Sequence, residues 1–479
     1  MPRSKICNDR CEAKEMKFLG IDIAIKHLPQ LDVSFLPLGA FFEGYLKEAK
    51  KPVSFAVTRP GGAVSVYDTF IHDRPGSEEA DKFYASRLVK LLLWVYGGVE
   101  IAVCGDEKIA QQIRQEYSQT GARAFDAAFM TRVYERPFAA VYLPISQKPA
   151  ASERAMPAGG NFDGCRIGFD AGGSDRKVSA VIDGKVVYSE EVVWHPKTSD
   201  NPDYHLAGIL EAFRTAASKM PRVDAIGVSS AGIYVDNRTM VASLFLNVPQ
   251  PLFEQKGKSI YPDAAREMGD LPLVVANDGD VAALAGAMEL GEGRVLGIAM
   301  GTSQAAGYVD GEKKIAGWLN ELAFAPVDCN PAAMRDEWSG DLGCGVKYFS
   351  QDAVIKLAGM AGIELADDLT PAQKLKAVQD LAEADDRRAA AVFCDIGVYL
   401  GHTINLYARF YDLKNILLLG RVMSGKGGTL IARRAQNVLD EEYPHLAKRV
   451  RLVLPDEKSR RVGQSVAAAG LPVIEKLRA

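Results

Sequence analysis

The alternation of apolar and polar positions divides this chain into three stretches. Residues 1 to about 50 carry short apolar runs and no chemical motif. From 51 to about 148 the pattern is compact α/β. Residues 53–57 form an apolar strand, Arg59-Pro60-Gly61-Gly62 supplies turn chemistry, and residues 63–71 alternate small and apolar positions as a second strand. Ser77 stands as an N-cap before Glu78 and Glu79, which suit the positive end of a helix. Apolar positions 80, 84, 88, 91, 92 and 95 then recur at helical spacing, with Phe83, Tyr84 and Trp94 as core of this unit. Residues 99–104 read as a buried strand, a helix follows from Asp106, and 149–160 read as a linker.

From Arg166 the pattern of strand, glycine turn, strand, helix and strand returns. The first strand is 165–169, the second 185–193, the helix about 204–219 and the next strand 225–229. The likeness between 53–105 and 166–230 fits either a degenerate copy of one unit or an unrelated α/β cap. Further on, the strand 272–276 ends at Asn277-Asp278 before an Ala-rich helix, about 281–289. The strand 295–300 meets the turn Gly301-Thr302-Ser303, and 306–311 is the returning half of a hairpin. The strand 415–419 closes at Gly420, ahead of the Gly-rich 424–428.

The chemistry sits at the ends of these strands. Asp170-Ala171-Gly172-Gly173-Ser174-Asp175-Arg176-Lys177 places a carboxylate at a strand end, then two glycines, a hydroxyl and a lysine. Glycines leave no Cβ in the way, so backbone N–H groups can approach a phosphate. A strand-end Asp170 can hold a hydrated Mg²⁺, which keeps several of its waters. Lys177 is either a phosphate contact or a solvated strand lysine. Asp278, at a strand end facing a cleft, suits a general base for a hydroxyl, or else an N-cap; Asp280 is the better candidate for the cap. His195 and His205 read as ordinary surface or core positions.

Composition narrows the class. A length of 479 residues suits roughly two to four domains, and 48% hydrophobic with 25% charged residues is ordinary for a soluble globular chain. The net charge of −4 offers no basic nucleic-acid footprint. No apolar run approaches ~20 residues, and the start lacks a signal-peptide pattern, so the expectation is cytoplasmic, without membrane. Seven scattered cysteines argue against a disulfide framework, with Cys7 and Cys11 as surface thiols, and six histidines supply a Cys/His metal site poorly.

The order of these motifs resembles the acetate-and-sugar-kinase, heat-shock ATPase and actin superfamily, and within it the ROK family of sugar kinases and related repressors, over about 161–475. Asp170 to Lys177 is similar to its first phosphate motif, Asn277-Asp278 to its sugar-binding Asn and catalytic Asp, and Gly301-Thr302 to its second phosphate motif. Glu321 stands where the family's Glu holds sugar hydroxyls, Leu418-Leu419-Gly420 resembles the adenosine motif, and 462–468 the closing helix. The resemblance implies a two-lobed actin-like ATPase fold with ribonuclease H-like lobes and an extra N-terminal α/β segment. The expected division is 1–150 for the extension, 151–275 for the N-terminal lobe and 276–479 for the C-terminal lobe, with the last helix returning to the N-terminal lobe.

It also implies ATP- and Mg²⁺-dependent phosphorylation of a sugar hydroxyl. Asp278 is then the catalytic residue; Asn277, Asp278 and Glu321 bind substrate; Asp170, Gly172, Gly173, Ser174, Lys177, Gly301, Thr302, Ser303 and Gly420 bind the nucleotide, with Asp170 on Mg²⁺ through water. The expected partner is a small sugar or sugar-like molecule, with no nucleic acid and with a homodimer left open. The chain departs from the family pattern at several places. Phe324 replaces the family's His, Val346 its second sugar-binding Glu, and only Cys344 remains of its zinc-binding Cys run, so no structural zinc is expected. Gln304-Ala305-Ala306 replaces a glycine-rich stretch, and Arg421 a second glycine, free to stack on adenine or to block it. Phe324 and Trp338 are candidates for the cleft wall or for core. The absence of a winged helix in the first 150 residues disfavours the repressor branch. The alternatives are a catalytically silent nucleotide- or ligand-binding descendant, and a BadF-type ATPase activator whose bridging cysteine pair does not stand out here.

Overall fold

The strand Cys165–Ala171 is buried along its whole length, as a strand with both faces covered must be. In the computed structural model, which describes residues 14–153, 158–455 and 457–474, it is the middle of a five-stranded sheet. The order is Leu273–Asn277, Ala225–Ser230, Cys165–Ala171, Asp175–Ile182, Lys185–Val193. The first three strands run parallel and the last two turn back antiparallel. Successive residues of one strand point to opposite faces. Phe169 therefore meets Phe213 of the helix Pro202–Ala217 on one side. On the other, bare backbone at Gly168 lies against Ser465 and Ala469 of the helix Glu457–Ala469.

The sequence pattern placed one strand after the glycine turn, at 185–193, whereas the structure has two. Asp175–Ile182 pairs with Cys165–Ala171 before turning at Asp183-Gly184, both with positive φ. Its polar opening, Asp175-Arg176-Lys177, hides it as a loop.

A second sheet has the order Gln304–Val309, Val295–Met300, Asn415–Leu419, Arg451–Val453, one antiparallel hairpin followed by parallel pairings. The helix Asp278–Leu290 seats on that hairpin at two glycines: a Cβ on Gly279 would lie 2.5 Å from the Ala306 carbonyl, and one on Gly307 would strike the backbone of Gly279 and Asp280. This close contact brings the start of the helix to the hairpin's strand. The 21-residue helix Arg387–Tyr407 is long and apolar enough to cross a membrane, although no unbroken apolar run marks it, and 94% of its apolar window is buried inside the protein.

A third sheet, Val64–Ile71, Lys51–Thr58, Glu100–Cys104, Ala139–Leu143, belongs to the N-terminal stretch. Here Lys51–Thr58 is antiparallel to both neighbours, whereas Cys165–Ala171 runs parallel to Ala225–Ser230. Of the two options the sequence left open, this topology favours an unrelated cap over a degenerate copy. Asp106 caps its helix, accepting from Ile109 N at 2.8 Å. Ser77 does not act as expected: its hydroxyl engages Asp81 and Arg74 instead of the helix backbone. The stretch shares one core with the second sheet, joining Phe41, Tyr84 and Trp94 to Ile298, Tyr399 and Leu406, while the first sheet has its own core around Phe169, Phe213 and Tyr261.

Within the expected linker, residues 154–157 lie outside the described residues, and its first part is pinned. Ser152 bridges to Val64, and Glu153 accepts from Arg59 at 2.5 Å and from Ser65. Cys104, Cys165, Cys329 and Cys344 are free and buried, but Cys394 is disulfide-bonded, so the chain is not without a crosslink. Cys7 and Cys11 lie outside the described residues.

Candidate nucleotide and acceptor site

Hairpin register sets Asp170 directly opposite Lys177. Asp170 is buried, and Ser229 Oγ donates to its Oδ1 at 2.8 Å. Burial pushes its carboxyl up to about 6, against the pull of Ser229 and Lys177. The Lys177 ammonium lies 3.0 Å from Asp175 Oδ1 and 4.0 Å from Asp170 Oδ2. It is thus a half-buried partner of the carboxylates and not a solvated strand lysine. Between them, Gly172, Gly173 and Ser174 make the turn, held from outside by the Trp194 indole N–H on the Gly172 carbonyl at 2.8 Å.

Asn277, not Asp280, caps the following helix. Its Oδ1 accepts from Gly279 N at 2.7 Å and its Nδ2 donates to the Gly232 carbonyl at 2.7 Å, so both ends of the amide are engaged within the protein. The expectation of Asp280 as the cap fails because an N-cap lies just outside the first turn, whereas Asp280 is already inside the helix and buried. Asp280 Oδ1 accepts from Tyr308 N at 3.1 Å and from Asn320 Nδ2 at 3.0 Å, and burial pushes it up to about 7. Asp278 is partly buried at the helix start. Burial raises its carboxyl, while the Gly279 N–H, its own N–H and the Lys197 charge pull it down.

A cavity of about 980 Å³ opens beside Asp278, lined by Lys177 from the first sheet and by Ala299, Leu419, Gly420 and Arg421 from the second. The closing helix contributes Gly463 and Gln464, and Gln464 Nε2 donates to the Asp278 carbonyl at 3.1 Å. Gly420 has φ +91°, and a side chain there would strike the backbone of Met300. Arg421 Nη2 donates to Thr302 Oγ1 at 3.2 Å, which ties the Gly420 corner to the turn Gly301-Thr302-Ser303. That turn closes through Gly301 N on the Ser303 carbonyl at 2.9 Å. Gln304 is buried beside Gly345. The structure thus brings Lys177, Asp278 and Gly420 into one lining, with Asp170, the two glycine turns, Asn277 and Glu321 outside it.

Glu321 belongs to a second face. The N–H groups of Leu319, Asn320 and Glu321 donate to the carbonyls of Tyr96, Val95 and Trp94 at 3.3, 3.0 and 2.9 Å. The end of the helix Glu78–Tyr96 therefore sets its position. Burial pushes its carboxyl up to about 7, with Asp278 and Asp280 adding to the rise. Phe324 packs with ring centroids 4.4 Å from Trp94 and 5.7 Å from Phe125, so it belongs to an aromatic cluster with the N-terminal stretch. Trp338 is 70% exposed and is neither core nor packed wall.

Where the resembling family has its Cys run, Asp341 is reached by Arg87 at 2.8 Å, Lys90 at 3.2 Å and Arg123 at 2.5 Å. Burial would raise its carboxyl, yet these three cations hold it well below the usual range. Among the described residues no group of three or more His, Cys, Asp or Glu is arranged to hold a metal ion. Sequence reasoning did not single out Lys197, Asp341 or the Trp94 cluster as parts of this region. Each acts on residues distant in the chain, and only the glycine pair near Lys197 left any signal.

The fold is shared with a solved kinase. A ROK hexokinase from Thermus thermophilus superposes with a TM-score of 0.51 at 19% identity, over 64% of this chain and 96% of that one. A ROK glucokinase from Streptomyces griseus, solved with glucose and AMPPNP, gives 0.47 at 21% identity, over 64% and 98%. A ROK transcriptional regulator gives 0.48 at 18%, over 64% and 78%. No family model matches the chain, and no curated protein matches it by sequence. The chain carries the actin-like fold of ROK sugar kinases.

Proposed function

We propose that this protein transfers a phosphoryl group from MgATP to a hydroxyl of a sugar or sugar-like acceptor. One observation carries this: Lys177, Asp278 and Gly420, from three distant places in the chain, line one cavity. The residues fit the nucleotide. Gly420 leaves a corner without a side chain and Arg421 stands beside it, while the turns at Gly172-Gly173-Ser174 and Gly301-Thr302-Ser303 would offer backbone N–H groups to phosphate, that of Gly301 excepted, since it bonds Ser303. Asp170 would hold Mg²⁺ through water, since that ion needs only one or two carboxylates besides phosphate. When bound, MgATP supplies the phosphoryl group and the metal charge.

The protein's own groups do the rest. Asp278 takes the proton of the acceptor hydroxyl as its oxygen bonds to the terminal phosphorus and the bond to the nucleotide diphosphate breaks. The turn N–H groups stabilise the charge that develops on the phosphoryl oxygens. Glu321 accepts from acceptor hydroxyls, and Asn277 orients Asp278 by capping its helix. Asp278→Asn tests this. Turnover of a sugar panel with MgATP should fall by ~10²–10⁴, while the thermal shift given by MgATP persists. Unchanged turnover would remove Asp278 from the chemistry. The apolar residues at Phe324 and Val346 favour a second reading, a ligand-binding protein without turnover. A nucleotide shift with no sugar-dependent ADP release would establish it.

A further inference from the structure

The short helical turn Pro196–Thr198 lies over the first glycine turn. A Cβ built on Gly173 would come within 2.7 Å of Lys197 Cε and 2.9 Å of its Nζ, so the ammonium rests on bare backbone and the second glycine makes the room for it. The turn is held firmly. His205, fully buried, places Nε2 at 3.0 Å from the Pro196 carbonyl and 2.9 Å from that of Leu244. Trp194 donates from its ring to Gly172 O and from its backbone to Ser174 O at 3.2 Å. Lys177 next door is matched by two carboxylates, whereas among the described residues no carboxylate lies within ion-pair distance of Lys197. Its positive charge nonetheless acts on Asp278. A cation with no carboxylate partner among the described residues, seated on a phosphate-type turn, has the chemistry to meet an anion arriving there.

We propose that Lys197 is a catalytic residue that contacts the terminal phosphoryl group of the nucleotide during transfer. This rests on the phosphotransferase reading given above. Lys197 sits on the second glycine of the phosphate-type turn and its charge reaches Asp278, the proposed base, so its contact is assigned to the phosphoryl group being transferred. The charge-assisted contact should therefore favour a nucleoside triphosphate over the diphosphate.

Calorimetric titration of the Mg²⁺ complexes of AMPPNP and of ADP into the full chain and its Lys197→Met and Lys197→Arg variants tests this. The expected result is a ten- to hundredfold loss of AMPPNP affinity in Lys197→Met, ADP affinity within twofold, and partial recovery in Lys197→Arg. In turnover, kcat should fall and acceptor KM should stay. Equal loss for AMPPNP and ADP, or no loss for either, overturns the assignment while leaving the phosphotransferase reading intact. If the unmodified protein binds neither nucleotide, that reading fails and the assignment with it. Circular dichroism of each variant separates misfolding from lost contact.

Discussion

The two sides of the proposed site, one for nucleotide and one for acceptor, are built on different physics. On the nucleotide side, position is set by backbone: glycine turns at strand ends, a φ of +91° at Gly420, and close approaches at Gly279 and Gly307. On the acceptor side, position is set by the N-terminal stretch, through both its side chains and the carbonyls at one helix end. Trp94 packs on Phe324, helix-end carbonyls hold 319–321, and Arg87, Lys90 and Arg123 gather on Asp341. A backbone grip on phosphate tolerates little change, because phosphate is the same in every substrate. A wall made of side chains can change with the ligand it serves, and here the N-terminal stretch packs Trp94 against Phe324. The cap reaches the first sheet's side as well, since Glu135 pairs with Arg238 at 2.8 Å and Lys258 at 2.9 Å.

Removing the ionic hub should break the acceptor side alone. Asp341→Ala takes the carboxylate from the buried Arg87 and Arg123 and should cost ~3–5 kcal/mol in urea unfolding. Nucleotide affinity of the remaining folded protein should hold; its parallel loss would show that the two sides are one unit.

A smaller effect follows from the raised carboxylates. Asp280 and Glu321 each sit at about 7 in the folded protein, above their unfolded values. Between about pH 4 and 7 the folded state keeps protons that the unfolded chain has released, so stability falls as pH rises through this window and levels off above it. Asp280→Asn should flatten that slope and raise stability at pH 8 by on the order of 2–3 kcal/mol, because it keeps an acceptor for Tyr308 and Asn320. A slope unchanged by the substitution would mean Asp280 stays ionised.

Glu321→Gln sharpens the division further. Acceptor KM should rise about tenfold or more, from the loss of ~1–3 kcal/mol of charged hydrogen bonding, with nucleotide KM unmoved. The least effect belongs to Glu135→Ala, ~0–1 kcal/mol in stability, since its pairs with Arg238 are about half exposed. A large effect there would make this contact more than a surface pair.

The first glycine turn of the proposed nucleotide side was legible because its determinants are local. A carboxylate, two glycines and a lysine within residues 170–177 predict a tight turn at a strand end, suited to phosphate, whatever surrounds it. The missing strand Asp175–Ile182 was illegible because its first residues are polar for the sake of the site, which erases the alternation that marks a strand. Asp280 misled as a cap since its helix begins earlier than the apolar pattern shows, at Asp278. The acceptor side gave almost nothing, because Trp94 and Phe324, or Arg87 and Asp341, lie at opposite ends of long intervening chain.

By itself the sequence determined which strands end in carboxylates and glycines, since turn conformation and steric access are properties of a few adjacent residues. The tertiary structure alone decided that Lys177, Asp278 and Gly420 share a cavity, that Asn277 is spent as a cap, and that the N-terminal cap furnishes the wall behind Glu321. Such facts depend on which buried surfaces meet, and an apolar or charged side chain carries no mark of the distant partner it will cover.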